Sequence, residues 1–106
     1  MGKHGNFTKA EQKWIDFLLD HGCAICRSPP QIHHILTTGR RPDHHFDTIP
    51  LCFHHHQAGR NDPEVVSRHP WKREFERRYS SEKDILEKMR HLFLERFGTL
   101  PDGEAE

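Results

Sequence analysis

The sequence predicts an α+β fold in which a small zinc-stabilised ββα unit is flanked by an N-terminal helix and by C-terminal helices. Cysteine and histidine recur in two knuckles of equal spacing, Cys23-x-x-Cys26 and Cys52-x-x-His55, and this spacing suits one tetrahedral zinc ion. Apolar residues at helical spacing stand before and after the knuckles, which predicts helices on both sides of the metal unit.

Composition explains why a metal is expected. The chain has 106 residues, of which 33% are hydrophobic and 30% charged, and its mean hydropathy is −0.92. So polar a chain buries little apolar surface, and small domains of this kind often depend on a metal or on disulfides. Three cysteines, an odd number, argue against a disulfide framework. We expect free thiolates in a reducing cytoplasm, and no apolar run points to a signal peptide or membrane span.

The length favours a single domain over residues 1–106. It consists of an N-terminal helix (8–22), the zinc knuckles with the ββα unit (23–59), a helical support (60–98) and a flexible tail (99–106).

The first helix is expected from about Lys9 to His21, because a capping box runs from Thr8 to Glu11 and Gly22 provides a stop. A strand over 31–36 and an irregular returning strand over 44–51 then form a hairpin. A short helix from Cys52 to about Ala58 completes the ββα unit.

Further helices are expected after Gly59. Asp62-Pro63 is interpreted as a helix start, since a capping residue precedes proline. Aromatic residues every four positions and a stripe ending at Gly98 predict helices that pack back on the ββα unit. The residues of these two patterns are Trp71, Phe75 and Tyr79, then Ile85 or Leu86, Met89, Phe93 and Phe97.

The two knuckles together offer a complete Cys3His set for structural zinc: Cys23, Cys26, Cys52 and His55. A single C-x-x-C motif also marks redox sites, so thiol chemistry is the competing interpretation. The second knuckle favours zinc, because it repeats the spacing of the first.

The eleven histidines are the strongest anomaly of composition. His56 follows a zinc ligand at a helix start, so it is rotated by about 100° and faces the strand pair. Either His33 or His34 can meet it there, since neighbouring residues of a strand point to opposite faces. Two histidines and one further donor form an incomplete shell for Mg²⁺, Mn²⁺ or Zn²⁺, with positions open for water and phosphate.

The order of these motifs resembles the HNH, or ββα-metal, nucleases, whose fold is treble-clef-like. More narrowly, the run from Cys23 through H-H-I, R-R-P-D-H-H-F-D-T-I-P-L-C and H-H to F-E-R-R-Y is similar to the recombination-enhancement-function nucleases of temperate phages. The resemblance covers about residues 23–86. It implies an endonuclease that cuts DNA made available by a RecA filament, in the cytoplasm of a bacterial host.

The resemblance also implies roles for single residues. His33 and His56 match metal ligands, and His34 matches the general base. Asp47 takes the place of the usual asparagine and would orient the base or bind metal. His69 matches a third ligand. His45 matches a further histidine whose role the family pattern does not define. The sequence departs from the pattern at His55, where many HNH proteins have cysteine, and at His54, which has no counterpart.

The net charge of the chain is zero, so bulk attraction to DNA is weak and any phosphate contact must be local. Arg40 and Arg41 stand side by side in a loop and can clamp a phosphate with their planar guanidinium groups, although a plain surface loop explains them equally well. The competing function is a non-catalytic zinc module that binds nucleic acid or a protein. Such a module needs the four zinc ligands and has no use for the histidine pair, which favours the enzyme.

Overall fold

A computed structural model describes residues 7–36 and 44–103, and within them helices surround a two-stranded antiparallel sheet. The elements in chain order are α1 (Lys9–His21), β1 (Gln31–His34), β2 (Thr48–Leu51), α2 (Phe53–His56), α3 (Lys72–Arg78) and α4 (Glu82–Phe97). The predicted α+β class is confirmed. None of the described helices is long and apolar enough to cross a membrane.

Helix α1 begins and ends where its sequence predicts. The Glu11 backbone N–H donates to Thr8 Oγ1 at 3.1 Å, and the Thr8 N–H donates to Glu11 Oε1 at 2.9 Å. This reciprocal capping box satisfies two N–H groups that a helix start leaves without a partner. At the other end Gly22 has a positive φ of 87°, and its N–H donates to Leu18 O. The predicted glycine stop is therefore confirmed.

The core lies between α1, α4 and the sheet. Trp14 and Phe17 of α1 both contact Phe93 of α4, with ring centroids 5.6 and 5.3 Å apart. The indole N–H of Trp14 donates to Thr48 Oγ1 at 2.9 Å, so the one polar atom of this large side chain is satisfied where it is buried. Helical packing thus fixes the position of β2.

The hairpin is shorter than predicted. Strand β1 ends at His34 instead of residue 36, and β2 begins at Thr48 instead of residue 44. Beyond His34 one further bond joins the Ile35 N–H to Asp47 O. The Thr48 hydroxyl donates to His45 O, three residues earlier, at 2.9 Å and so forms a turn with the preceding segment. That local bond bends residues 44–47 out of the ladder.

Helix α2 is a single turn, so the predicted extension to Ala58 is wrong. The backbone N–H groups of Gln57 and Ala58 both donate to Phe53 O, at 2.9 and 3.1 Å. A bond that reaches five residues back closes a helical turn instead of continuing it.

The helix expected at Asp62-Pro63 is also absent from the described residues, where 61–66 form a turn. One oxygen of Asp62 accepts from the N–H groups of Glu64 and Val65, both at 2.9 Å. Asn61 then pairs with Val66 in an isolated bridge. Aspartate stabilises such turns by the same bonds with which it caps helices, which is why the motif misled the prediction.

We predict that Gly22→Ala destabilises the chain far more than Gly98→Ala. Both glycines have positive φ values, 87° and 79°, so alanine is strained at either position, at a cost of about 1–2 kcal/mol. An added Cβ at Gly22 would also lie 2.4 Å from Arg27 O, whereas nothing lies within 4 Å of one at Gly98. Urea unfolding at fixed zinc concentration should give a loss of about 3 kcal/mol for Gly22→Ala, the upper end of the cost of a strained backbone position. Equal losses would contradict the prediction.

Candidate metal centre and histidine clusters

The two knuckles meet as the sequence predicts. Cys23 and Cys26 follow α1, Cys52 lies between β2 and α2, and His55 lies in α2. One ligand atom of each residue lies within 4.8 Å of those of the other three. Cys26 and Cys52 are 26 residues apart along the chain, so this cluster joins distant segments.

The donor separations fit a tetrahedral zinc ion. Two sulfurs bound at about 2.3 Å to one tetrahedral centre lie about 3.8 Å apart. Cys26 Sγ and Cys52 Sγ are 3.7 Å apart, and His55 Nδ1 lies 3.7 Å from Cys23 Sγ and 3.2 Å from Cys52 Sγ. The Cys3His group can therefore hold a structural zinc.

The surroundings of the cluster suit a metal. Burial lowers the pKa of His55 and so favours the neutral imidazole that binds metal. Burial also raises the pKa of the Cys52 thiol to about 11, so the thiol keeps its proton without a metal. Zinc would displace that proton on binding. For Cys26 burial acts the same way, but hydrogen bonds with Ser28 outweigh it and lower the pKa of that thiol.

Backbone and aromatic contacts support the cluster. The Ile25 N–H points at Cys23 Sγ at 3.4 Å, as expected of a knuckle. The ring of Tyr79 meets the His55 ring edge to face at 5.2 Å, and its hydroxyl accepts from the Val66 N–H. The end of α3 is thus packed against one residue of the Cys3His group.

The two histidines of β1 have different neighbours. His33 meets His56 of α2 with ring centroids 4.9 Å apart. His34 instead turns to His45, with Nε2 3.0 Å from His45 Nδ1. The expectation that adjacent strand residues serve different sites agrees with this arrangement.

A buried carboxylate beside His33 was not foreseen from the sequence. Glu82 Oε2 accepts from His33 Nε2 and from Arg68 Nε, both at 2.6 Å. Burial raises the pKa of Glu82, but the bonds from these two residues outweigh it and bring the pKa to about 2. Glu82 is the first residue of α4, where an acidic residue is ordinary, so no sequence signal marks it as special.

His56 has a partner of its own. Its Nδ1 lies 2.7 Å from Gln31 Oε1, and Gln31 is the first residue of β1. Burial lowers the pKa of His56, and a charge on neighbouring His33 would lower it further. A neutral imidazole, the form that binds metal, is favoured.

A second cluster surrounds His34 and joins α1 to the start of the β2 segment. Glu11, which is buried in the capping box, accepts with Oε2 from the His45 backbone N–H at 3.2 Å. The His45 ring also meets Phe7 edge to face at 4.7 Å. The imidazole of His45 is thereby held against His34.

The other candidate residues are placed less closely. His69 is exposed, and its N–H donates to His56 O at 2.8 Å. Asp47 is half-buried and joins the hairpin through its backbone carbonyl. Among the residues described, the Cys3His set is the one group of three or more such donors that reaches 4.8 Å spacing. Arg40 and Arg41 lie outside the described residues.

The fold and the clusters define a small α+β protein with a Cys3His group able to hold zinc and with histidine pairs beside it. A family model described as recombination enhancement, RecA-dependent nuclease matches residues 8–93. The chain therefore belongs to the family of RecA-dependent recombination-enhancement nucleases. No curated protein and no solved structure matches the chain.

We predict that His55→Ala abolishes folding, whereas His54→Ala does not. His55 is buried in the Cys3His group and its neighbour His54 is exposed. Zinc-binding free energy in small metal sites is also folding free energy. Circular dichroism and zinc analysis of purified variants should show an unfolded, zinc-depleted His55→Ala chain and a folded His54→Ala chain with one zinc. A folded His55→Ala variant without zinc would contradict the structural role, and Cys26→Ala or Cys52→Ala should behave as His55→Ala does.

Proposed function

We propose that the chain is a metal-dependent DNA endonuclease of the HNH type that acts in recombination on DNA held in a RecA filament. Membership of the family supports a nuclease that works with DNA and RecA. The order β1, β2, α2 around the Cys3His group supports the narrower HNH type. The reaction is hydrolysis of a phosphodiester by a water that a histidine deprotonates.

The observation that carries the proposal is the meeting of His33 and His56, whose rings lie 4.9 Å apart. His56 directly follows the zinc ligand His55, so the structural metal also determines where His56 lies. Histidines from a strand and from a helix are thereby brought to one place beside a rigid knuckle. A purely structural zinc module has no need of this second pair.

In this proposal His33, His56 and His69 hold a catalytic divalent metal. The His69 backbone is tied to His56 O, which keeps its exposed side chain near the pair. Imidazole ligands accept Zn²⁺ and, with carboxylate or water, Mn²⁺ or Mg²⁺. Once bound, such a metal stabilises charge on the phosphoryl oxygens and on the leaving 3′ oxygen.

His34 is the proposed general base. It follows His33 directly in β1, and its Nε2 lies 3.0 Å from His45 Nδ1. A histidine that is oriented by a neighbour is suited to take a proton from water, since an ordinary imidazole pKa lies near ~6.5. Asp47 takes the place of the HNH asparagine and would orient this base or bind the metal, while His45 is the neighbour that contacts His34.

The zero net charge of the chain fits an enzyme whose DNA is presented by a partner, because bulk charge supplies little affinity. Local phosphate contacts by Arg40 and Arg41 belong to the same proposal, since paired guanidinium groups bind phosphate oxygens well.

We predict that His34→Ala lowers cleavage by about 10²- to 10⁴-fold, the usual contribution of a general base, and leaves the fold and the zinc intact. His91→Ala, at an exposed position of α4, is the matched control and should cleave as the wild type does. Nicking of labelled DNA gives the rates, and zinc analysis verifies both variants. Full activity of His34→Ala would remove its role as base, and its unfolding would make it a structural residue.

Dependence on RecA is tested with single-stranded and duplex DNA in Mg²⁺ or Mn²⁺, with and without a RecA filament. We expect the wild type to cleave only when the filament is present, and His34→Ala not to cleave under either condition. Cleavage without the filament would retain the endonuclease and remove its RecA dependence. No cleavage under any of these conditions would favour a zinc-stabilised binding module.

A further inference from the structure

We propose that Glu82 is a positioning residue for His33, which it holds with a proton on Nε2, so that Nδ1 is the atom offered to a divalent metal. The metal part of this inference rests on the proposed function, in which His33 is a ligand. Neither the zinc knuckles nor the histidine pattern includes Glu82, which reaches the site from α4.

The hydrogen bonds determine the tautomer. Glu82 Oε2 lies 2.6 Å from both His33 Nε2 and Arg68 Nε. A guanidinium can only donate and an ionised carboxylate can only accept, so the proton between His33 and Glu82 belongs to Nε2. In the neutral ring the lone pair is then on Nδ1. Metal-binding histidines commonly have such a carboxylate behind them, which fixes the ring and raises its basicity.

Glu82 is itself held from the side of the zinc knuckle. The Arg68 backbone N–H donates to the carbonyl of the zinc ligand His55 at 2.8 Å. Helix α4, whose first residue is Glu82, is capped by Ser81, which accepts from the Asp84 N–H at 3.1 Å. The carboxylate is therefore fixed between α4 and the segment that follows α2.

Burial distinguishes this carboxylate from an ordinary surface ion pair. The Glu82 and His33 side chains are 9% and 14% exposed, whereas the equally short Glu74–Arg77 pair of α3 is 37% and 75% exposed, respectively. Exposed pairs contribute little and are held loosely, while a buried carboxylate persists only where every partner is in place. The position of the Glu82 carboxylate is therefore determined by the fold.

His56 is oriented by the same kind of contact with the opposite nitrogen. Gln31 Oε1 lies 2.7 Å from His56 Nδ1 and also accepts from Gln57 Nε2 at 3.1 Å. An amide oxygen can only accept, so His56 Nδ1 donates and Nε2 carries the lone pair. His33 is thus left with an unprotonated Nδ1 and neighbouring His56 with an unprotonated Nε2.

Nitrogen NMR of the zinc-loaded chain at pH 8, before any other metal is added, tests the tautomer directly. Long-range ¹H–¹⁵N spectra distinguish protonated from bare ring nitrogens, and His33→Ala identifies the signals of His33. We expect a protonated Nε2 and a bare Nδ1 in wild type and in the control Glu74→Gln, and both tautomers in Glu82→Gln, whose amide can donate or accept. A bare Nε2 or a doubly protonated ring in wild type, or a Glu82→Gln spectrum unchanged from it, would overturn the proposal.

If Glu82→Gln does not fold, Glu82→Asp provides the same test, since it keeps the charge and shortens the side chain, which withdraws the carboxylate from His33 Nε2. We expect the same mixture of tautomers, and an unchanged His33 spectrum in this folded variant would also count against the proposal.

Calorimetric titration with Mn²⁺ separates this inference from the proposed function. We expect Glu82→Gln to weaken Mn²⁺ binding by about 10- to 100-fold, as loss of a residue behind a ligand does, and Glu74→Gln to leave it unchanged. Equal Mn²⁺ affinity in Glu82→Gln and wild type would overturn the metal part of the inference. If wild type binds no Mn²⁺ while the tautomer responds to Glu82→Gln, the metal role of His33 fails and Glu82 remains its positioning residue.

Discussion

Closure of the Cys3His group is the constraint on which the rest of the structure depends. It brings together the end of α1, the end of β2 and the single turn of α2, segments that the hairpin alone would hold weakly. A two-stranded hairpin is marginal in water by itself, and with 33% hydrophobic residues the chain has little apolar surface to add. A zinc ion held by these four residues would supply the stabilisation that a larger core gives to other domains.

The helices pack into the same hydrophobic core as Cys23 and Cys52, two residues of the Cys3His group. Trp14 of α1 packs on Phe93 of α4 and bonds to Thr48 of β2. Phe75 of α3 meets Tyr79, which caps the end of α3, edge to face, and Tyr79 meets His55 in the same way. The Cys3His group is therefore supported by an aromatic ring at His55. Such packing holds neighbouring imidazoles at fixed separations, which a reactive site requires.

Features that have a spacing or capping signal in the sequence were predictable, and a contact between distant segments without such a signal was not. The ends of α1 and the Cys3His set follow from capping and ligand spacing, and the structure has both. Asp62 was misread because one bonding pattern serves both turns and helix caps. Glu82 was missed because its importance comes from burial against His33, 49 residues away, and a helix start gives an acidic residue an ordinary explanation.

The register of the hairpin has a consequence for the chemistry of the chain. His34 lies opposite Thr48, and His33 lies opposite Ile49. A slip of one residue would exchange the surroundings of the two imidazoles without altering a single amino acid. Thr48 prevents it by bonding to the core at Trp14 and to the loop at His45. The neighbours of each histidine thus depend on the register of the two strands. A core substitution that contacts no histidine can still change those neighbours by changing the register.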